Sequence, residues 1–160
     1  MNDFIIRPAG LQDMGAVNAL LRQVLKVHHD GRPDLFREEG KKYTDEELQG
    51  IFANPETPVF VYESDGTVLG YVFCALRHPS GGSLNAITTL YIDDLCVDET
   101  ARGKGVATAL YRHVLDFAKA NGCYNVTLNV WTGNDGALAF YQKMGMQPQK
   151  TKLEAIVGDL

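Results

Sequence analysis

Apolar residues in the first third of the chain recur with two different periods. Phe4–Pro8 predicts a short strand that ends at its proline, since proline cannot donate a hydrogen bond to a sheet ladder. From Asp13 the apolar positions return every three or four residues, which predicts an amphipathic helix to about Lys26. The following segment, His28–Phe36, contains a glycine and a proline but ends in two large apolar residues. It predicts an ordered loop over a cleft.

The middle of the chain predicts one helix and one hairpin. Thr44–Phe52 has a threonine at its first position and a glutamate three residues on, which is the spacing of a capping box at the start of a helix. Two apolar runs follow, Pro58–Glu63 and Val68–Arg77, with Asp65-Gly66 between them. An Asp-Gly pair between apolar runs is a strong signal for a tight turn that joins antiparallel strands.

The second half of the chain alternates strand and helix patterns, and no repeat or low-complexity tract interrupts it. The predicted elements are a strand at Ile87–Val97, a helix at Lys104–Ala120, a strand at Asn125–Trp131, a helix at Asp135–Met144 and one more strand at Lys152–Val157. We therefore expect a mixed α/β (α+β) fold in a single domain over residues 1–160.

Composition narrows the classes of function. The sequence has 15 Lys and Arg against 20 Asp and Glu, a formal net charge of −5, so it predicts no basic surface for nucleic acid or anionic membranes. The longest apolar run, Val68–Leu76, is far shorter than the roughly 20 residues of a membrane-spanning helix. The first residues, Met1–Arg7, lack the pattern of a signal peptide. The 3 cysteines form no CxxC pair, which favours a reduced, cytoplasmic protein.

The most informative segment lies where a predicted strand ends and a helix begins. In Arg102–Thr108 one lysine separates two glycines, and the helix follows at once. Such a junction directs backbone N–H groups at one point and adds the positive end of the helix dipole, so it suits an anion such as pyrophosphate. A P-loop needs a GK[ST] triplet, which this sequence lacks, and the dinucleotide fingerprint GxGxxG would need a third glycine at Thr108.

The pattern Arg-x-x-Gly-x-Ala fits Arg102–Ala107, and here the chain resembles the GNAT superfamily of N-acetyltransferases. The resemblance covers nearly the whole chain. Ile6–Ala9 looks like the family's opening strand and Ile92–Val97 like its central strand, while Asn134–Gly145 resembles the motif N-x-x-A-x-x-F-Y-x-x-x-G. The resemblance implies a twisted, mostly antiparallel central sheet flanked by helices, in which the strands Ile92–Val97 and Val126–Trp131 run parallel and splay apart.

The resemblance also implies acetyl-CoA as the cofactor. The residues that would bind it are Leu95, Cys96, Val97, Arg102, Gly103, Lys104, Gly105, Val106, Ala107, Thr108 and Asn134. The first three would present backbone groups to the pantetheine arm and the thioester carbonyl, and the glycine loop would hold the pyrophosphate. Cys96 is expected to be a small core thiol rather than a nucleophile, because the family transfers acetyl directly.

Two residues are candidates for proton transfer. Tyr141 matches the tyrosine that in the family often protonates the departing thiolate, and a phenol pKa of about 10 suits that role. Asp93 is the candidate that takes a proton from the acceptor amine. It resembles in position the glutamate of polyamine acetyltransferases but is one methylene shorter, which favours a relay through water. Asp94 is expected on the opposite face of the strand.

The predicted acceptor is a primary amine of a small molecule, polyamine- or aminoglycoside-like, acetylated in a ternary complex. Acetylation of a protein N-terminus or lysine is one alternative, and a non-catalytic acyl-CoA sensor is another. His28 and His29 are candidates for the acceptor pocket, but no ligands at metal spacing accompany them, so no metal site is predicted. The resemblance leaves homodimerisation open.

Overall fold

The computed structural model describes residues 3–160 and divides into two compact units. The first extends to Asn129 and contains a five-stranded sheet, and the second is Val130–Leu160. Met1 and Asn2, which begin the segment without signal-peptide pattern, lie outside the described residues. Within residues 3–160, each helix is too short or too polar to cross a membrane.

The sheet holds its strands in the order of the chain. Neighbouring strands are antiparallel from the first to the fourth, and the fourth and fifth are parallel. The strands are β1 Phe4–Pro8, β2 Val59–Ser64, β3 Thr67–Arg77, β4 Thr89–Val97 and β5 Asn125–Leu128. The predicted mixed fold, with a mostly antiparallel sheet and one parallel pair, is therefore confirmed.

Residues 3–160 form four α-helices. They are α1 Met14–Gly31, α2 Asp45–Ala53 and α3 Val106–Ala120 in the first unit, and α4 Asp135–Lys143 in the second. α2 begins with the predicted capping box: the Thr44 hydroxyl accepts the N–H of Glu47 at 3.1 Å, and the Glu47 carboxylate accepts the N–H of Thr44 at 3.0 Å. The predicted hairpin also forms, with both Asp65 (φ 51°) and Gly66 (φ 76°) in the left-handed region.

One face of the sheet packs on α1 and α2. The buried side chains between this face and the two helices, contributed by both helices and strands, include Val17, Leu20, Leu21, Leu48, Val59, Val61, Tyr71, Phe73 and Cys96. Alternate residues of a strand point to the same face, so Tyr71 and Phe73 identify the side of β3 that contacts α1 and α2. Each large apolar side chain buried here contributes about 1.5–3 kcal/mol to folding.

The opposite face of the sheet packs on α3. Phe60 of β2 contacts Phe117 of α3 edge-on, with ring centroids 5.3 Å apart. Gly70 of β3 lies under the start of the helix, where a Cβ would meet the carbonyl oxygen of Cys96 at 2.9 Å and Val106 Cγ1 at 3.0 Å. The missing side chain therefore lets α3 begin close against the sheet, beside the end of β4.

α1 is longer than the pattern predicts. It continues past Lys26 to Gly31, so His28 lies on its last turn instead of in a loop. The helix ends where the N–H of Arg32 donates to the carbonyl of His28 at 2.8 Å. Pro33 follows, and a residue before proline avoids the helical conformation, which explains why the helix stops there.

The C-terminal part of the chain contains less strand than predicted. β5 ends at Leu128, whereas the apolar pattern continued to Trp131. Lys152–Val157 forms no strand; it is irregular and leads into a short 3-10 turn. Leu153 is 86% exposed and Ile156 is 45% exposed, so the alternation of apolar residues there does not correspond to a buried face.

Candidate active site

The two halves of β4 have different neighbours. Thr89–Ile92 pair with Asn125–Leu128, and that ladder stops there, while β4 continues to Val97 alongside β3. Among the strands of residues 3–160, none pairs with the β5-facing edge of Asp93–Val97. The parallel pairing therefore lies earlier on β4 than the predicted Ile92–Val97, and most of that predicted segment forms an open edge.

An open strand edge presents backbone N–H and C=O groups at regular spacing. Leu95, Cys96 and Val97 lie on this edge, as a site for an extended ligand requires. The Cys96 side chain points into the core, where its Sγ is 3.6 Å from the carbonyl oxygen of Leu20. Burial raises the pKa of the Cys96 thiol to about 12, so this buried residue can offer only backbone groups to a ligand.

The glycine loop follows β4 and ends where α3 begins. Gly103 (φ 77°) and Gly105 (φ 83°) both adopt the left-handed backbone conformation that glycine tolerates best. Gly105 is the N-cap of α3, and no acidic residue occupies the first turn of that helix. The N–H groups of that turn and the positive end of the helix dipole can therefore bind an anion, together with the exposed side chains of Arg102 and Lys104.

Asp98 fixes the start of the glycine loop. Its carboxylate accepts hydrogen bonds from Gln23 Nε2 at 2.8 Å, from the Thr100 N–H at 3.1 Å and from the Thr100 hydroxyl. The N–H of Glu99 donates to Gln23 Oε1 at 3.2 Å. The bonds from Thr100 and Gln23 lower the pKa of Asp98, so the carboxylate stays ionised and connects α1 to the loop at neutral pH.

Asp93 is the first residue of the open edge, and its carboxylate faces the segment between α1 and α2. Its Oδ2 accepts hydrogen bonds from Lys42 Nζ at 2.8 Å and from the Tyr43 hydroxyl at 3.2 Å. The Tyr43 ring stacks on Phe73 with centroids 5.9 Å apart, which places this cluster on the α1 and α2 face of the sheet. The sequence pattern pointed to Asp93 but not to its two partners, which lie about fifty residues away along the chain.

A β-bulge brings Asp94 to the same face. The register pairs Asp94 with Phe73 and Ile92 with Cys74, so Asp93 has no partner on β3. An extra residue of this kind shifts the alternation of side chains by one position. Asp94 therefore shares the face of Phe73 with Asp93, and the prediction that the two carboxylates lie on opposite faces is wrong.

Asp94 forms a close pair with Tyr71. It accepts a 2.5 Å hydrogen bond from the hydroxyl of this fully buried tyrosine. Burial raises the pKa of Asp94 to about 6, although the Tyr71 hydrogen bond acts in the opposite direction. Burial and the charge of Asp94 raise the pKa of Tyr71, so its hydroxyl remains the donor. The sequence does not predict this pair, because a bulge leaves no mark in the spacing of apolar residues.

Asn134 and Tyr141 belong to the second unit. Asn134 is the N-cap of α4, and its side-chain oxygen accepts the N–H of Ala137 at 3.3 Å. Tyr141 lies on the same helix, with its ring 5.1 Å from that of Phe140 in an edge-on arrangement. The predicted residues that the structure brings together at the end of β4 are those of the first unit.

The two histidines at the end of α1 both contact Phe36. The His28 ring centroid is 4.8 Å from that of Phe36, and His29 Nδ1 is 2.9 Å from the Phe36 carbonyl oxygen. Burial, and then the charge of Lys42, lower the pKa of His28. Residues 3–160 contain no group of three or more His, Cys, Asp or Glu side chains that could hold a metal ion.

Comparison with known sequences agrees with this geometry. A model of the acetyltransferase (GNAT) family matches residues 15–146. An uncharacterised N-acetyltransferase of Methanocaldococcus jannaschii is 28% identical over 110 residues, which are 69% of this chain and 48% of that protein. The matched region therefore spans about half the length of this curated relative.

Two solved structures are similar over nearly their full lengths. A mutant of the BH1408 protein from Bacillus halodurans has a TM-score of 0.91 and 32% identity, covering 96% of this chain and 99% of that one. An aminoglycoside N-acetyltransferase in complex with CoA has a TM-score of 0.74 and 16% identity, covering 98% of this chain and 95% of that one. At that identity, the second similarity concerns the fold alone.

Proposed function

Since the chain belongs to the acetyltransferase (GNAT) family, we propose that it transfers the acetyl group of acetyl-CoA to a primary amine of a small cationic molecule. One observation carries this proposal: Asp93, the open edge of Leu95–Val97 and the glycine loop follow one another along β4 and its end. A carboxylate for the amine, backbone groups for the thioester arm and an anion site for the pyrophosphate thus stand in the order in which the reacting groups occur.

The glycine loop and the open edge fit the chemistry of acetyl-CoA. The groups that would hold its pyrophosphate are the backbone of Gly103, Gly105, Val106 and Ala107, the side chains of Arg102 and Lys104, and the Thr108 hydroxyl. Backbone groups of Leu95–Val97 would bond the pantetheine arm, and Asn134 is the family position that adds a further contact. When bound, acetyl-CoA supplies an acetyl group activated as a thioester.

Asp93 is the group that receives a proton from the acceptor in this proposal. An alkyl ammonium has a pKa of about 10.4, so it must lose a proton before its nitrogen can attack a carbonyl carbon. The Asp93 side chain is 34% exposed and begins the open edge, where a bound ammonium could reach it. The short side chain accepts the proton directly or through a water molecule.

The charges around Asp93 favour a cationic acceptor. Asp93 and Asp94 lie on the same face of the sheet, and of these two carboxylates it is Asp93 that accepts a hydrogen bond from Lys42. The pKa of about 6 at Asp94 leaves this carboxylate mostly ionised above neutral pH. Two carboxylates against one ammonium leave this cluster with an excess of negative charge, which favours a cationic acceptor over a neutral or anionic one. Polyamines and aminoglycosides carry ammonium groups.

Tyr141 is the acid that protonates the CoA thiolate in this proposal. Its support is the family motif that runs from Asn134, the N-cap of α4, to Gly145 just beyond the end of the helix, in which Tyr141 is the tyrosine. A phenol and an alkyl thiol have similar pKa values near 10, so the proton transfer costs little. Tyr141→Phe should bind CoA like the wild type in calorimetry and lose most of its turnover in an assay of thiol release from acetyl-CoA. Unchanged turnover would remove Tyr141 from the reaction.

The test combines calorimetric CoA binding with release of the thiol from acetyl-CoA. Gly105→Glu and Gly105→Gln place side chains of equal size at a backbone position with φ 83°, so both variants carry the same strain. Only the glutamate adds a negative charge where the pyrophosphate would bind. We expect Gly105→Glu to lose CoA binding and Gly105→Gln to keep a measurable part of it. Equal CoA affinities in both variants and the wild type would place the cofactor elsewhere.

The acceptor panel in the same assay separates the alternatives. Polyamines, aminoglycosides, amino acids and short peptides are offered to the wild type with acetyl-CoA. Turnover with the small cationic amines supports the proposal. Turnover confined to peptides would favour a protein N-terminal or lysine acetyltransferase instead. CoA binding without turnover on any acceptor would favour an acyl-CoA sensor.

A further inference from the structure

Lys42 places an amine of the chain itself on the carboxylate assigned to the acceptor. Its Nζ lies 2.8 Å from Asp93 Oδ2, and the Tyr43 hydroxyl donates to the same oxygen at 3.2 Å. The Lys42 side chain is 46% exposed and the Asp93 side chain 34%, so solvent reaches both partners. A primary ammonium is the chemical group that the proposed acceptor would bring to this carboxylate.

We propose that Lys42 occupies the acceptor-ammonium subsite in the absence of substrate and that a cationic acceptor binds by displacing it. The inference rests on the proposed function, because it takes Asp93 as the acceptor-binding carboxylate. Asp93 offers one partly exposed carboxylate, and its Oδ2 already accepts two hydrogen bonds. A second ammonium at the same oxygen would therefore meet both the charge and the volume of Lys42.

The geometry of Lys42 supports displacement rather than a permanent contact. Lys42 lies in the irregular segment between α1 and α2, so its side chain can move away without disturbing a helix. Burial lowers the pKa of Lys42, but the hydrogen bond and charge of Asp93 outweigh it and the pKa ends above the usual value. The side chain is thus a cation at neutral pH and competes with the acceptor as one.

The competition has a measurable size. When only a fraction of the protein molecules is in the state that can bind a ligand, the apparent affinity for that ligand falls by the same fraction. Exposed ion pairs of this kind shift an equilibrium by roughly two- to fivefold. Removing the Lys42 ammonium should therefore strengthen the binding of a cationic amine by about two- to fivefold.

The experiment measures spermidine binding by calorimetry to the protein saturated with CoA, where no acetyl group is present to be transferred. Lys42→Met should bind spermidine about two- to fivefold more tightly than the wild type, and Lys42→Arg should bind it like the wild type. The matched control is Lys41→Met, which removes the same charge one residue away, where Nζ lies 3.1 Å from Asp45 Oδ1. Lys41→Met should change the affinity less than Lys42→Met does.

A second pair of variants ties the effect to Asp93. In an Asp93→Asn background, adding Lys42→Met should bring no further gain in affinity, because the competition needs the carboxylate. The inference is overturned if Lys42→Met binds spermidine no better than Lys41→Met, or if the gain in affinity persists in the Asp93→Asn background. It is also overturned if spermidine binds neither the wild type nor Lys42→Met. Failure of the proposed function gives a different result, because the wild type would then bind no CoA or release no thiol from acetyl-CoA.

Discussion

Two ionic clusters in the first unit have the same numbers of acidic and basic groups but different hydrogen-bond geometry. Each contains two carboxylates and one basic side chain: Arg7 with Asp13 and Glu63, and Lys42 with Asp93 and Asp94. In the first, the Arg7 guanidinium donates two 2.8 Å hydrogen bonds to Asp13 and a third to Glu63 at 3.0 Å. In the second, the Lys42 ammonium donates to Asp93, whereas Asp94 accepts its hydrogen bond from the Tyr71 hydroxyl.

The difference is visible in the pKa values of the buried carboxylates. The Arg7 hydrogen bonds lower the pKa of Asp13, although burial opposes them. Burial raises the pKa of Asp94 to about 6, because its bond from Tyr71 is too weak to compensate. A count of charges therefore does not distinguish a structural cluster from a candidate site. The distinguishing property is whether the basic group reaches every carboxylate.

Breaking the first cluster should have the largest effect on stability. Arg7→Met leaves Asp13, which is 3% exposed, without its guanidinium partner. Leaving this buried carboxylate without its charged hydrogen-bond partner should cost about 2–3 kcal/mol in free energy of unfolding, measurable by urea denaturation. The control is Lys26→Met, whose pair with Asp30 has side chains 78% and 60% exposed and should cost about 0.5 kcal/mol or less. Equal losses in the two variants would contradict the structural role of Arg7.

The opposite pKa shifts of Asp94 and Asp13 predict opposite slopes of stability against pH. The pKa of Asp94 rises from about 4 in the unfolded chain to about 6 in the folded one. The folded state therefore binds more protons in this window, and stability falls as pH rises from about 4 to 6. Asp94→Asn removes this penalty, so the variant should gain about 2 kcal/mol on the wild type across the window.

Asp13→Asn supplies the contrast to Asp94→Asn. The lowered pKa of Asp13 stabilises the folded state above the unfolded pKa, and that contribution disappears as pH falls through the folded value. The wild type should therefore gain on Asp13→Asn with rising pH, opposite to the trend for Asp94→Asn. Urea denaturation at several pH values between 3 and 7 measures both trends. Parallel trends in the two variants would contradict the assignment of the shifts.

Asp93→Asn should change stability least and activity most. Its partner Lys42 is 46% exposed, so loss of the ion pair should cost under about 1 kcal/mol. Turnover at neutral pH should fall about a hundredfold, because the proposed proton acceptor is gone, while CoA affinity stays near the wild-type value. Urea denaturation, thiol release and calorimetry give the three quantities. A wild-type pH–rate profile in Asp93→Asn would remove Asp93 from the proton path.

The parts of the fold that the sequence predicts are those that depend on neighbouring residues. The capping box at Thr44 and the Asp65-Gly66 turn both form as predicted, and Asn134 caps α4 in the same local way. Each involves contacts within a few residues, where the identity of one side chain decides the backbone conformation. The glycines before α3 belong to the same class, because their left-handed conformation is a local property.

The composition of the candidate site depends on contacts that local patterns do not contain. Lys42 and Asp93 are 51 positions apart in the chain, and a polar segment between helices gives no signal of its partner. The pairing of Asp94 with Tyr71 requires the bulge, which results from the register between β3 and β4. The false strand at Lys152–Val157 shows the converse, since an alternating pattern predicts a strand only where a neighbouring surface covers it.

The bulge in β4 also limits how its pair of carboxylates can be transferred to a related chain. The extra residue changes the phase of the strand, so even-numbered positions before Asp93 and after it point to opposite faces of the sheet. In a regular strand without a bulge, two consecutive residues point to opposite faces, so one of two adjacent carboxylates would turn towards α3. Grafting the paired carboxylates onto such a strand therefore requires an insertion as well as substitutions. The number of residues in this strand therefore decides, together with their identity, which face of the sheet each carboxylate occupies.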